Sequence, residues 1–260
     1  MRRIGTAVLV AVLVVPVLPL FVWAVAGDFR WPALLPEPSG RGLRRLADRD
    51  VLAALGTSTT IAVSVSLVAT VIGAAAGRAL GSWAFRGRRV LQLLLLLPVL
   101  VPTFAVTLGI QVFFIRYGLA DTVAGVVLVQ LIPTVPYVAL VMSAAFARHD
   151  DAVEDAARVL GAGPWQRLRH VTVPTTAPAL AVAALFAFLI SWSEYILTLL
   201  IGGGTVRTLP LLLFAAIGSS DLTAAAALSL VVAAPPLVLV VVTARRLGGA
   251  GTADLGTGPP

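Results

Sequence analysis

The chain has 260 residues, of which 59% are hydrophobic and 12% charged, with a mean hydropathy of +0.99. Soluble domains run about half apolar and a quarter charged, so water is the wrong solvent for most of this surface. Cysteine is absent, which excludes a disulfide framework, a thiolate metal site and a cysteine nucleophile. The basic residues are all arginine, and despite a formal charge of +7 they are spread over short segments between apolar runs. That pattern argues against a nucleic-acid face and fits lipid headgroups.

A membrane-crossing helix needs about 20 mostly apolar residues. Six runs qualify: 6–26, 52–77, 91–115, 122–146, 177–201 and 222–244. The expected fold class is therefore all-α integral membrane, with six transmembrane helices. Arg2, Arg3 and Ala24-Val25-Ala26 give the first run some signal-peptide character. Its apolar stretch is longer than an ordinary signal core and contains Pro16 and Pro19, so an uncleaved helix is expected. In the second run Gly73, Gly77 and Gly81 recur every four residues, a small-residue face suited to close helix packing. Pro98, Pro102, Pro133, Pro136, Pro235 and Pro236 predict kinks in the later runs.

Orientation follows from arginine in short loops. With the N-terminus inside, twelve arginines fall on the inner side and seven on the outer, and the segment Arg78 to Arg89 carries four with no acid. Both termini are expected in the cytoplasm. Gly202-Gly203-Gly204 reads as an outer turn, and the glycine-rich tail 248–260 is too polar and small to fold.

The segment 147–174, between the fourth and fifth runs, is the most polar part of the second half. Val153, Ala156, Ala157 and Leu160 share a helical face, acids stand at the helix start, Gly161 offers a left-handed stop and Gly163-Pro164 ends the helix. A second short amphipathic stretch follows with Trp165, Leu168 and Val171 apolar. In the fifth run Ser191-Trp192-Ser193-Glu194-Tyr195 is a polar island, and an acid at membrane depth tends to face a cavity or a partner. Ser191, Ser193 and Glu194 are candidate translocation-path residues, with a structural hydrogen-bond role for Glu194 equally open.

Asp155-Ala156-Ala157, then three residues, Gly161, nine residues, Val171, one residue and Val173-Pro174 closely resembles a known signature. It is that of the permeases of binding-protein-dependent ATP-binding-cassette importers: Glu-Ala-Ala, three residues, Gly, nine residues, Ile, any residue, Leu-Pro. Every spacing is kept; Asp replaces Glu at 155, with Glu154 beside it as a substitute acid, and Val replaces Ile and Leu at 171 and 173. The resemblance also covers the helix layout from about residue 50 to 245. It implies a permease domain over 1–247 in a bacterial inner membrane, whose coupling helix docks into a cleft on a separate ATPase. Glu154, Asp155, Ala156, Ala157, Gly161, Val171 and Pro174 would carry that contact, with Asp155 facing a basic ATPase residue, Gly161 making the corner and Pro174 starting the fifth span.

The resemblance implies two ATP-binding subunits, a second permease, an extracytoplasmic substrate-binding protein and surrounding lipid as partners, and no nucleic acid. No cofactor is expected on this chain; ATP and Mg belong to the ATPase. A phosphate-binding loop GxxxxGK[ST] needs a lysine, and the chain has none. The only histidines, His149 and His170, lie in the polar segment, which leaves no buried base for an intramembrane enzyme. The alternative is a self-sufficient secondary transporter or channel, which ordinarily carries several intramembrane acids or repeat-related broken helices. The stretch Ser191 to Phe214 is similar to permeases of the polyamine and ferric-iron branch.

Overall fold

The computed structural model describes residue 15, residues 18–27 and residues 38–253, with side chains through Arg246 apart from Val99 and Asp151. Regular structure among these residues is helical. In chain order it comprises α1 (Leu18–Ala24), α2 (Arg41–Arg45), α3 (Arg49–Ser82), α4 (Arg88–Leu100), α5 (Thr103–Arg116), α6 (Val123–Phe146) and α7 (Asp151–Val159). Then come α8 (Pro164–Arg167), a π-helical turn (Leu168–Thr172), α9 (Val173–Trp192), α10 (Ile196–Gly202), α11 (Leu209–Gly218) and α12 (Leu222–Ala253).

Among the described residues four helical stretches are long and apolar enough to cross a membrane: α3, α6, the continuous run Pro164–Trp192, and Leu222–Arg246 of α12. Counting the bent α4–α5 pair as one span makes five. The expected run 6–26 lies largely outside the described residues.

Three expectations differ from the structure. The run 91–115 is two helices meeting at 88°. Val101 is extended (φ −82°, ψ 134°), which is what a following proline ring imposes on its predecessor, and Pro102 has no N–H to continue the ladder. The run 177–201 stops at Trp192 and resumes at Ile196. Ser193 Oγ donates back to the Leu189 carbonyl at 2.9 Å, while the Glu194 carboxylate accepts from the Leu197 N–H at 3.0 Å and so caps the start of α10. Finally, α12 runs to Ala253, so residues 248–253 are helical where a structureless tail is expected. Extending an existing helix fixes one residue per bond and avoids the nucleation cost that a free tail would face.

The chain divides into two compact units. In the first, residues up to Ser58 with Arg207–Val238, Ala24, Ala226 and Ala227 form a small core with Trp23, Leu46 and Leu230 against it. Asp221 accepts from Arg41 and Arg45 at 3.2 and 3.4 Å and caps α12 through the Ala224 N–H. Ser58 Oγ accepts from the Leu209 N–H at 2.9 Å, satisfying an otherwise orphaned donor at the start of α11.

The second unit holds Thr59–Val206. Its core has two parts: Ile61, Val65, Phe114, Val126, Val129, Leu197 and Ile201, and then Ala69, Val138, Met142, Phe146, Ala183 and Ala187. The glycine stripe explains how α3 meets α6. A Cβ at Gly73 or Gly77 would stand 2.5 Å from Val138 Cγ1 or Met142 Cβ, and one at Gly81 2.7 Å from Phe146 Cβ. The four-residue repeat on α3 therefore answers a four-residue repeat on α6, and any larger side chain would force the pair apart.

Gln130 of α6, 1% exposed, spans the break in the run 177–201. Its Oε1 accepts from Ser191 Oγ at 2.5 Å, before the break, and its Nε2 donates to Thr198 Oγ1 at 3.0 Å, beyond it. Every polar atom of that amide but one N–H thus has a named partner, as burial in an apolar medium demands.

The packing predicts that Gly77→Leu lowers the stability of the detergent-solubilised chain by about 1–3 kcal/mol, the usual cost of overpacking. Gly109→Ala, where an added Cβ meets nothing within 4 Å, should leave the thermal midpoint unchanged or slightly raised. Thermal unfolding of the two variants side by side checks this.

Candidate functional site

The polar segment folds as two short helices around a corner. Asp150 caps α7 by accepting from the Ala152 N–H at 2.9 Å, and acids in the first turn complement the positive end of the helix dipole. The helix stops at Gly161, whose φ of +85° with no atom within 4 Å of an added Cβ marks a position held for backbone reasons alone. Gly163 then precedes Pro164 at the first position of α8, and Gln166 reaches back to accept from the Gly163 N–H at 2.9 Å.

The two acids of the matched motif separate. Asp155 is exposed and pairs only loosely, at 3.3 Å, with Arg158 one turn on. Glu154 turns the other way and is 8% exposed. Its Oε2 accepts from Arg78 at 2.7 Å, near the end of α3, and its Oε1 from Thr172 Oγ1 at 2.5 Å, in the π turn that leads into α9. Arg78 also lies over the Phe146 ring at 6.0 Å. A cavity of about 170 Å³ adjoins the group, with Trp83, Phe146, His149 and Arg158 in its wall.

The expected apolar face of α7 does not pack inward. Val153 and Ala156 are exposed and Ala157 is half-buried, while Val159 and Leu160 are 87% and 86% exposed and Trp165 on α8 is 70% exposed. Three large apolar groups thus flank the Gly161 corner in the open, beside the exposed carboxylate of Asp155. Val171 is half-buried in the π turn, and Pro174 sits in the first turn of α9.

The candidate path residues lie elsewhere in the second unit. Ser191 is buried with its hydroxyl committed to Gln130, Ser193 is exposed with its hydroxyl turned back on the helix, and Glu194 is half-buried at the α9–α10 break. The structure therefore does not bring them together with the corner. Sequence reasoning missed Arg78 and Thr172, which stand 76 and 18 residues from Glu154 and carry no local signal of their pairing. It also missed Val159, which falls off the i, i+3, i+4 pattern used to read α7.

The family model for binding-protein-dependent transport system inner membrane components matches residues 69–245. The trehalose transport system permease protein SugB of Mycobacterium tuberculosis is 32% identical over 146 residues, covering 56% of this chain and 53% of that one. The putrescine transport system permease protein PotI of Escherichia coli is 28% identical over 181 residues, 66% of this chain and 64% of the other. The chain thus spans about half to two thirds of these relatives' length. A crystal structure of a bacterial ABC transporter involved in the import of the acidic polysaccharide alginate has the same fold: TM-score 0.70 at 18% identity, over 94% of both chains.

The corner geometry makes a graded prediction. Gly161→Val should loosen α7 most, Gly161→Ala by about 1–2 kcal/mol for a left-handed backbone with a Cβ, and Gly161→Asn least. Amide hydrogen exchange over α7 reads the order; equal protection in all three would remove the backbone argument.

Proposed function

Since the chain belongs to the binding-protein-dependent transport system inner membrane components, matched over residues 69–245, we propose that it is the membrane-spanning permease subunit of an ATP-binding-cassette importer. It forms half of a translocation pathway through alternating access. Six spans are proposed, with 6–26 as the first, together with a permease domain over 1–247 and a coupling segment over 147–174 on the cytoplasmic side between the fourth and fifth. Both termini are cytoplasmic in this reading.

The observation that carries the docking assignment is the exposure of Val159, Leu160 and Trp165 on the two sides of the Gly161 corner, with the exposed Asp155 one helical turn before Val159. Apolar side chains standing in water beside a charge are the anatomy of an interface core with a polar rim. The occupant proposed is an ATPase subunit whose cleft offers a hydrophobic floor and a basic residue for Asp155. Ala156 and Ala157 allow close approach, and Gly161, Val171 and Pro174 set the angle between the docking helix and the span behind it. Glu154 stays with its own chain.

The chain is not itself an enzyme: its relatives are permease subunits, and ATP and Mg are held by two partner ATPases. A second permease and an extracytoplasmic binding protein complete the assembly. Matched relatives are named for a sugar and for a polyamine, which supports leaving substrate choice largely to the binding protein. The likeness of Ser191 to Phe214 to the polyamine branch makes a small cation the class proposed here, with Glu194 and Ser193 as the groups that would meet it.

Leu160→Ala and Trp165→Ala should each weaken ATPase binding by about 2 kcal/mol or more if they are interface anchors, and Asp155→Lys should do so through charge. Co-purification of the ATPase with each variant measures it; full retention in all three sinks the docking assignment. The absence of native cysteine permits a second check. In intact cells, an impermeant thiol reagent should label Thr205→Cys and spare Ala162→Cys, and the reverse pattern would invert the proposed topology.

A further inference from the structure

We propose that Arg78, Glu154 and Thr172 are positioning residues that clamp the docking segment to the ends of two membrane helices, α3 and α9, so that the three move as one body. The inference rests on the coupling role proposed above and adds what connects that segment to the rest of its own chain.

Among the described side chains of α7, Glu154 is the buried one. A nine-residue helix is too short to hold itself in water, so whatever fixes Glu154 fixes the helix. Both carboxylate oxygens are occupied, by Arg78 at 2.7 Å and Thr172 at 2.5 Å. These partners come from separate elements. Arg78 stands in the last turns of α3, steadied by the Phe146 ring, and Thr172 closes the π turn just ahead of α9. Close packing is not what joins them on the open side, where the cavity of about 170 Å³ lies between Arg78, Phe146 and Glu154. That volume has room for several waters, so charge-assisted hydrogen bonds hold α7 there. A force applied to the exposed tip at Leu160 would then pass through Glu154 into both α3 and α9.

The test uses the permease–ATPase complex isolated from native membranes. Spin labels are placed on cysteines at Ala75 of α3 and Ala152 of α7, both exposed. With the clamp intact, the label separation should be narrow and the same without nucleotide and after trapping with MgATP and vanadate. Arg78→Ala should broaden it and make it shift on trapping, while the ATPase stays bound and hydrolyses ATP. Thr172→Val, which keeps the shape and loses the hydroxyl, should broaden it in part, and Thr172→Ser should restore the unsubstituted distribution. A purely structural role would move the thermal midpoint without this serine rescue. A narrow, nucleotide-independent separation in both Arg78→Ala and Thr172→Val overturns the proposal, and if Arg78→Ala does not assemble, the Thr172 pair decides it. Asp155→Lys separates the two readings. Loss of the ATPase there, together with unchanged separations in the clamp variants, sinks the clamp alone. An ATPase retained there and in Leu160→Ala and Trp165→Ala alike sinks the docking role, and the clamp then stands or falls on the separation measured without nucleotide.

Discussion

Hydrocarbon gives one apolar helix no reason to leave lipid for another, so the contact between α3 and α6 has to come from shape. Gly73, Gly77 and Gly81 remove three successive Cβ atoms from one stripe of α3, and Val138, Met142 and Phe146 occupy the space so freed. Much of the second unit hangs on that approach. It brings Arg78 beside Phe146 and within reach of Glu154, and it places α6, with Gln130, where Ser191 and Thr198 find it. A wider spacing between the two helices would undo the polar arrangement on either side.

Most buried polar groups follow a second constraint, that burial in an apolar medium calls for a hydrogen-bond partner; the Thr70 and Thr208 hydroxyls are exceptions. The interruption at Ser193 to Tyr195 breaks a backbone ladder, and the local side chains take over part of the bonding: Ser193 on a carbonyl, Glu194 on an N–H, Gln130 across the gap. Gln111 of α5 adds a bond to the Leu200 carbonyl at 3.2 Å. The same logic works at the polar end, where threonines 175 and 176 bond the carbonyls of Val171 and Thr172 around the π turn. In the polar segment, the buried acid is the one that found two donors, and the acid without them faces outward.

Hydropathy located the unbroken helices, and the prolines at 98 and 102 pointed to a bend without showing that the helix stops there. The runs 52–77, 122–146 and 222–244 sit within or almost within α3, α6 and α12, because composition over about 20 residues is what lipid selects. Composition is blind to a single extended residue such as Val101, although the following Pro102 was visible and its effect on its neighbour is general. Gly161 was legible because a left-handed corner leaves a local mark in the chain. The fate of Glu154 was not, since its partners lie far off in sequence and neither Arg78 nor Thr172 is unusual where it stands. The shared apolar face of α7 was legible from its spacing, but not the exposure of Val159, which falls off that pattern and stands in the open with Leu160.

That exposure bears on the life of the chain before assembly. A copy whose corner is uncovered presents Val159, Leu160 and Trp165 to water and to any other apolar surface nearby. Such a copy is a target for chaperones, proteases and its own kind. Prompt covering of that corner would shorten the time in which such encounters can occur.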